Sequence, residues 1–122
     1  WTTMALRDNA LKVYGFENLF CAGVKCGPTN SLLDAAVTGD LAGYNAVRYG
    51  LQKECLELPK SLIIGAFIDY LGKQLKSPEG LKRRHCILDR EIQEELNLYR
   101  ENEQEIVEEV QKQKLENVYS KV

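Results

Sequence analysis

The length of 122 residues favours a single domain, and 44% hydrophobic residues are enough for a real core. The formal net charge of −2 argues against a surface built throughout for nucleic acid. No apolar run reaches the ~20 residues of a membrane span and residues 1–10 lack a signal-peptide pattern, so we expect a cytoplasmic protein without membrane contact. The chain begins with Trp1 rather than methionine, which predicts a fragment of a longer protein.

The N-terminal segment carries the only β-prone sequence. A short run that includes Leu11 and Val13 is broken by Gly15, and residues 19–22 follow as a candidate buried strand. Residues 23–30 then form a loop with two glycines and a proline. We therefore predict a short β segment that leads into a tight turn.

A helix of small residues is predicted next. Asn30 or Ser31 can cap its start, and Gly50 is the expected C-cap. Its apolar positions recur every three or four residues and are mostly small: Leu32, Ala35, Ala36, Gly39, Ala42, Gly43, Ala46 and Val47. Such a stripe lets another backbone approach closely, either in ordinary helix packing or beneath a ligand.

Three further helical segments are predicted downstream. One begins at Pro59 and extends to about Leu75, and another begins at Pro78 with Ser77 as its N-cap. The third is a long amphipathic helix over residues 88–122, or two helices with a weak joint, because Glu103 interrupts the apolar stripe.

No catalytic or metal-binding set stands out. The four cysteines lack the spacing of zinc ligands, so reduced thiols are expected, and a site built from Cys21, Cys26, His85 and Cys86 is disfavoured. Residues 82–85 form a basic cluster that is more typical of a solvated helix turn than of a phosphate site.

Residues 18–23 read NLFCAG and residues 36–46 read AVTGDLAGYNA. Together they resemble the last flavin-binding segment of FAD-dependent oxidoreductases of the glucose-inhibited division protein A family and its folate-dependent tRNA methyltransferase relatives. In that family a strand ending in an AG turn delivers the chain to the flavin, and a helix with a G-x-x-x-G-x-N-A pattern follows. The match covers residues 15–48 approximately.

The resemblance implies that six residues line the flavin, namely Gly23, Val24, Lys25, Asn30, Ser31 and Leu32. A helix N-terminus with free amides can stabilise negative charge on a reduced ring. However, no G-x-G-x-x-G phosphate loop occurs in the chain, and Val24 stands where an acidic or amide residue often follows the AG pair. We therefore expect FAD only in a full-length parent protein, and no appreciable binding by the isolated chain.

The predicted fold is mainly α, a helical bundle with a short N-terminal β segment. Residues 1–50 would be the last strand-loop-helix of a FAD-binding domain, and residues 51–122 a C-terminal helical region. The expected partners are the remainder of the parent flavoprotein, a second copy pairing through the exposed strand edge, and tRNA. The alternative function is a helical interaction module that acts through the C-terminal amphipathic helix.

Overall fold

The computed structural model describes residues 5–26, 32–83, 93–94 and 97–122, except for the side chains of residues 81–83. Its elements are α1 (Leu32–Gly50), α2 (Ile63–Gln74), α3 (Pro78–Arg83) and α4 (Glu103–Lys112), with short 3-10 turns at Gly23–Lys25 and Val118–Ser120. The described part of the chain contains no sheet. The prediction of a mainly α fold is therefore confirmed.

The N-terminal segment pairs with itself through single bridges rather than strands. Arg7 bridges Val13, and Lys12 bridges Phe20, both antiparallel. The prediction of a buried strand at residues 19–22 is wrong. Left-handed backbone at Leu11 (φ 69°) and Gly15 (φ 83°) turns the chain before a ladder can extend.

The core lies where this N-terminal segment meets α1 and α2. It contains the buried residues Leu11, Cys21, Cys26, Leu41, Ala42 and Ile68. Since these come from all three parts of the chain, the N-terminal segment is part of the core and not an appendage.

Helix α1 extends through Gly50, the residue that was predicted to be its C-cap. Gly50 is helical, and the left-handed residue that ends the helix is Gln52, at φ 56°. The amide of Gln52 donates to Tyr49 O at 3.0 Å, and that of Lys53 to Arg48 O at 2.8 Å. This is a Schellman ending with glutamine in the position that glycine usually occupies, so the predicted C-cap at Gly50 is wrong. The candidate N-caps Asn30 and Ser31 lie outside the described residues.

Helix α2 begins at Ile63 rather than at Pro59, because Leu62 is extended (φ −98°, ψ 140°). The chain at Leu58 and Pro59 passes directly over Gly65, where a Cβ atom would collide with both carbonyl oxygens. The glycine thus permits the close approach that holds Pro59 outside the helix.

The prediction of one long C-terminal helix is wrong, whereas the alternative with a joint at Glu103 is nearer, because α4 begins at that residue. Two asparagines explain the break. Asn97 is left-handed (φ 54°), and the amide of Leu98 donates to Gln93 O at 2.8 Å, which ends the preceding turn. The Oδ1 atom of Asn102 then accepts from the amide of Gln104 at 3.0 Å and starts α4. By contrast, the predicted cap of α3 is confirmed, since Ser77 Oγ accepts from the amide of Gly80 at 3.0 Å.

Candidate functional site

The AG turn is fixed onto α1 by one threonine. Gly23 has φ +57°, a conformation that favours glycine, and its amide donates to Thr38 Oγ1 at 2.9 Å. The same hydroxyl donates to Asp34 O at 2.7 Å, so Thr38 is satisfied as donor and acceptor. The amide of Gly23 is consequently used within the chain.

The predicted flavin-site residues that the structure describes lie on this turn and at the start of α1. The side chains of Val24 (55% exposed) and Leu32 (87% exposed) face solvent, and Lys25 is exposed as well. The turn packs against α1, because a Cβ atom at Gly23 would lie 3.8 Å from that of Ala35. Asn30 and Ser31 fall outside the described residues. The turn therefore presents an apolar and cationic surface made of side chains.

Helix α1 has two apolar faces, which the sequence stripe did not separate. The inner face is buried and consists of Thr38, Leu41, Ala42, Tyr44 and Asn45. The opposite face, here called the small-residue face, consists of Leu32, Ala36, Gly39, Gly43, Ala46, Val47 and Gly50. A Cβ atom at Gly39 or Gly43 would meet nothing within 4 Å. The small residues therefore do not serve packing among the described residues.

Asn45 belongs to the resembling motif, and in this structure it holds two loops against α1. Its side chain is fully buried, and its Nδ2 atom donates to Ala10 O at 2.9 Å and to Leu56 O at 2.8 Å. Its Oδ1 atom accepts from the amide of Leu56 at 2.7 Å. Sequence reasoning missed this role, although an asparagine on an apolar helical stripe is a usable signal because asparagine is a poor helix former.

Arg7 is a second polar residue that sequence reasoning missed. Only 2% of it is exposed, and its guanidinium donates to Cys26 O (2.8 and 2.9 Å), Ile68 O (2.9 Å) and Asp8 O (3.2 Å). Burial lowers the pKa of Arg7, although the neighbouring Cys26 and Cys21 oppose this effect. The guanidinium thus joins the turn after Cys21 to helix α2.

The described cysteines are free thiols. Burial, followed by the proximity of Cys26, raises the pKa of Cys21 to about 11, and burial also raises the pKa of Cys26 and Cys55. Among the described residues no group of three or more His, Cys, Asp or Glu side chains could hold a metal ion. His85 and Cys86, named in the disfavoured metal site, lie outside them, as do Arg84 and the other side chains of the basic cluster.

Two tyrosines of α1 are packing residues. Tyr44 stacks edge-on against Tyr119 at 5.3 Å between centroids, and its hydroxyl donates to Lys121 O at 2.9 Å. Tyr49 contacts Phe20 and lies under the ammonium of Lys12, which is 4.1 Å from the ring centroid. None of the helices in the described part of the chain combines the length and apolarity needed to cross a membrane.

Comparison with known proteins gives partial matches. The chain is 33% identical over 88 residues to the methylenetetrahydrofolate–tRNA-(uracil-5-)-methyltransferase TrmFO of Caldicellulosiruptor bescii, a match that covers 72% of the chain and 20% of the relative. It is 37% identical over 71 residues to the enzyme of the same name from Thermosipho melanesiensis, covering 57% of the chain and 16% of the relative. The matches thus span at most about a fifth of these relatives. No protein-family model and no solved structure matches the chain.

Proposed function

We propose that the chain is the C-terminal part of a FAD-dependent oxidoreductase that modifies tRNA, and that it closes one wall of the flavin site. Support comes from the similarity to two tRNA-(uracil-5-)-methyltransferases and from the resemblance of residues 15–48 to a flavin-binding segment. In this proposal residues 1–50 complete the cofactor domain, residues 51–122 form a helical region, and the protein is cytoplasmic.

The observation that carries the proposal is the bare small-residue face of α1. A helix at a protein surface normally has a polar outer side. On α1, Asp40 is the only charged residue among those that are exposed. Gly39 and Gly43 each cost about 1 kcal/mol of helix propensity relative to alanine, and a Cβ atom at either position would meet nothing within 4 Å among the described residues. This combination is expected of a helix that is covered on both sides in a larger protein.

The residues present fit one side of a flavin and no more. Val24, Lys25 and Leu32, together with Asn30 and Ser31, would line the cofactor, while Gly23 would set the turn that presents them. Bound FAD supplies redox chemistry to such a site, and Lys25 would add positive charge beside it. The phosphate-binding loop would come from elsewhere in the parent. The isolated chain is therefore expected to bind no FAD and to catalyse nothing, and stoichiometric flavin absorbance in the purified chain would contradict this.

A chimera tests the proposal. The fifth of the Caldicellulosiruptor bescii relative that matches this chain is replaced by it, and both FAD content and methylation of tRNA uracil from methylenetetrahydrofolate are measured. We expect the chimera to retain FAD. In the Gly43→Leu chimera the FAD affinity should fall about tenfold or more, because the leucine would clash with the part of the parent protein that covers the small-residue face of α1.

The matched control is Gln111→Leu, which places the same side chain on the exposed surface of α4. It should leave FAD content unchanged. The proposal fails if the chimera binds no FAD, or if the Gly43→Leu chimera binds it as well as the parent chimera. In the isolated chain, Gly43→Leu should instead raise stability by about 0.5–1 kcal/mol, because leucine is the better helix former and its Cβ atom would meet nothing within 4 Å among the described residues.

A helical interaction module is the second candidate function. The break at Asn97 reduces the predicted long helix to α4, but α4 still exposes Ile106 and Val107 to solvent. Apolar side chains on an amphipathic helix that the described chain does not cover favour a partner.

A further inference from the structure

An apolar cavity lies between the start of α2 and the segment that leads into α4. It encloses about 120 Å³ and is lined by Leu62, Ile63, Leu98, Tyr99 and Ile106, with Ser61, Arg100 and Glu109 among the polar residues at its edge. Its volume accommodates one large side chain. We propose that this cavity docks a protein segment in which an apolar anchor residue is flanked by lysines or arginines.

The apolar lining is open to water. Ile63, Tyr99 and Ile106 are 39%, 41% and 43% exposed, and they come from three separate parts of the chain. Three large apolar residues around one depression form the kind of patch that marks an interaction site.

Charge determines the kind of partner. Residues 97–112, up to the end of α4, carry five carboxylates, Glu101, Glu103, Glu105, Glu108 and Glu109, against two cations, Arg100 and Lys112. Arg100 is partly neutralised, since its Nη1 atom lies 3.9 Å from Glu105 Oε2, and Glu109 lies 3.8 Å from Lys112 Nζ.

The remaining carboxylates, Glu101, Glu103 and Glu108, are exposed and form no ion pair within the described residues. An apolar depression next to an acidic segment of the chain attracts a cationic segment and repels the phosphates of RNA. This surface is therefore not suited to tRNA, and the inference does not depend on the flavin proposal. The inference identifies the surface and the kind of partner that the helical interaction module would use.

Two fluorescein-labelled peptides test the inference on the purified 122-residue chain. Both carry the same central Trp-Leu anchor, and lysines flank it in one peptide while glutamates flank it in the other. The lysine peptide should bind about tenfold or more tightly than the glutamate peptide in fluorescence anisotropy, and its affinity should fall as salt is added.

Substitutions at two residues of nearly equal exposure distinguish binding in the cavity from binding elsewhere on α4. Ile106→Asp places a charge in the lining and should weaken binding of the lysine peptide by about tenfold or more. Val107→Asp adds the same charge at a residue that is 40% exposed but does not line the cavity, and should leave binding within about twofold. Glu108→Lys, which keeps the lining intact, should weaken binding by reducing the negative charge.

The inference is overturned if the two peptides bind equally, if neither binds, or if Ile106→Asp and Val107→Asp behave alike. Circular dichroism of each variant establishes that it is folded. If Ile106→Asp does not fold, the Glu108→Lys variant decides, because unchanged affinity there would also overturn the inference.

Discussion

The side chain of Asn45 forms a closed pair of hydrogen bonds with the backbone of Leu56, donating to its carbonyl at 2.8 Å and accepting from its amide at 2.7 Å. The side chain thereby acts as a substitute for a β-bridge partner. Because the second Nδ2 hydrogen reaches Ala10 O, α1 is tied to two loops that precede and follow it. The asparagine of the resembling motif therefore has a structural task in this chain.

Asn45→Ala should lower the free energy of unfolding by about 3 kcal/mol or more. The substitution removes the partner of the buried Ala10 carbonyl and of the half-buried Leu56 carbonyl and amide, at up to about 1–3 kcal/mol for each unsatisfied group. Urea denaturation measures the change. Asn18→Ala, at an exposed position, is the control and should change stability by less than about 0.5 kcal/mol. A loss below about 1 kcal/mol in Asn45→Ala would contradict the prediction.

Asp69 should make stability depend on pH in the acid range. Burial alone would raise its pKa, but hydrogen bonds from Lys73, Asn9 and Lys60 outweigh this and lower the pKa to about 2. A carboxyl group with a depressed folded-state pKa stabilises the fold above its ordinary pKa, and this contribution is lost as the pH falls from about 5 to about 2. Since both lysines are mostly exposed, we expect a loss of about 1–2 kcal/mol.

Asp69→Asn removes the titrating group and supplies the comparison. The difference in unfolding free energy between the wild type and this variant should shrink by that amount between about pH 5 and pH 2. A difference that stays constant over this range would show that the carboxylate is not the group responsible.

Gln52→Gly should stabilise the chain by about 0.5–1 kcal/mol. A non-glycine residue in the left-handed conformation costs about 1–2 kcal/mol, which glycine avoids at some cost in chain entropy. Thermal unfolding measures the gain. The control is Gln52→Ala, which also shortens the side chain but keeps the backbone strain, and should give no gain. Equal effects of the two substitutions would point to the side chain rather than to φ.

The buried thiols should be nearly inert toward a disulfide reagent at about pH 8. With its pKa raised to about 11, Cys21 is almost wholly protonated there, and burial raises the pKa of Cys26 too. In a Cys86→Ser variant, no more than the single half-buried thiol of Cys55 should react within minutes, and all three should react in concentrated urea. Rapid modification of two or more thiols in the folded chain would argue against this packing.

Sequence reasoning found the helices whose ends carry local signals. The serine-proline start of α3 is visible in neighbouring residues and was predicted correctly. The periodic small residues of α1 correctly predicted a helix there, although its predicted C-cap at Gly50 was wrong. The start of α2 was missed because it depends on contact between Leu58 and Gly65, which no local pattern reveals. A joint was considered at Glu103, but the break at Asn97 was missed because the prediction followed the apolar stripe and overlooked the ability of asparagine to adopt a left-handed conformation.

Only the residue content of the candidate site could be predicted from the sequence, and not its contacts. The AG turn and the small-residue helix could be recognised. The division of the α1 residues between a buried and an exposed face could not, because it depends on which segments pack against the helix. Thr38, Asn45 and Arg7 are polar residues that each bond at least one partner between 15 and 61 residues away, so spacing gave no indication of these contacts.

The bond from Arg7 to Ile68 also bears on the order in which the chain can fold. During synthesis the guanidinium emerges long before its acceptor, and it remains hydrated until α2 has formed. Closing so long a loop is entropically costly and slow relative to forming a helix. The N-terminal segment should therefore reach its final place late, after α1 and α2 have formed, and removal of the first ten residues would deprive α2 of the guanidinium that fastens it.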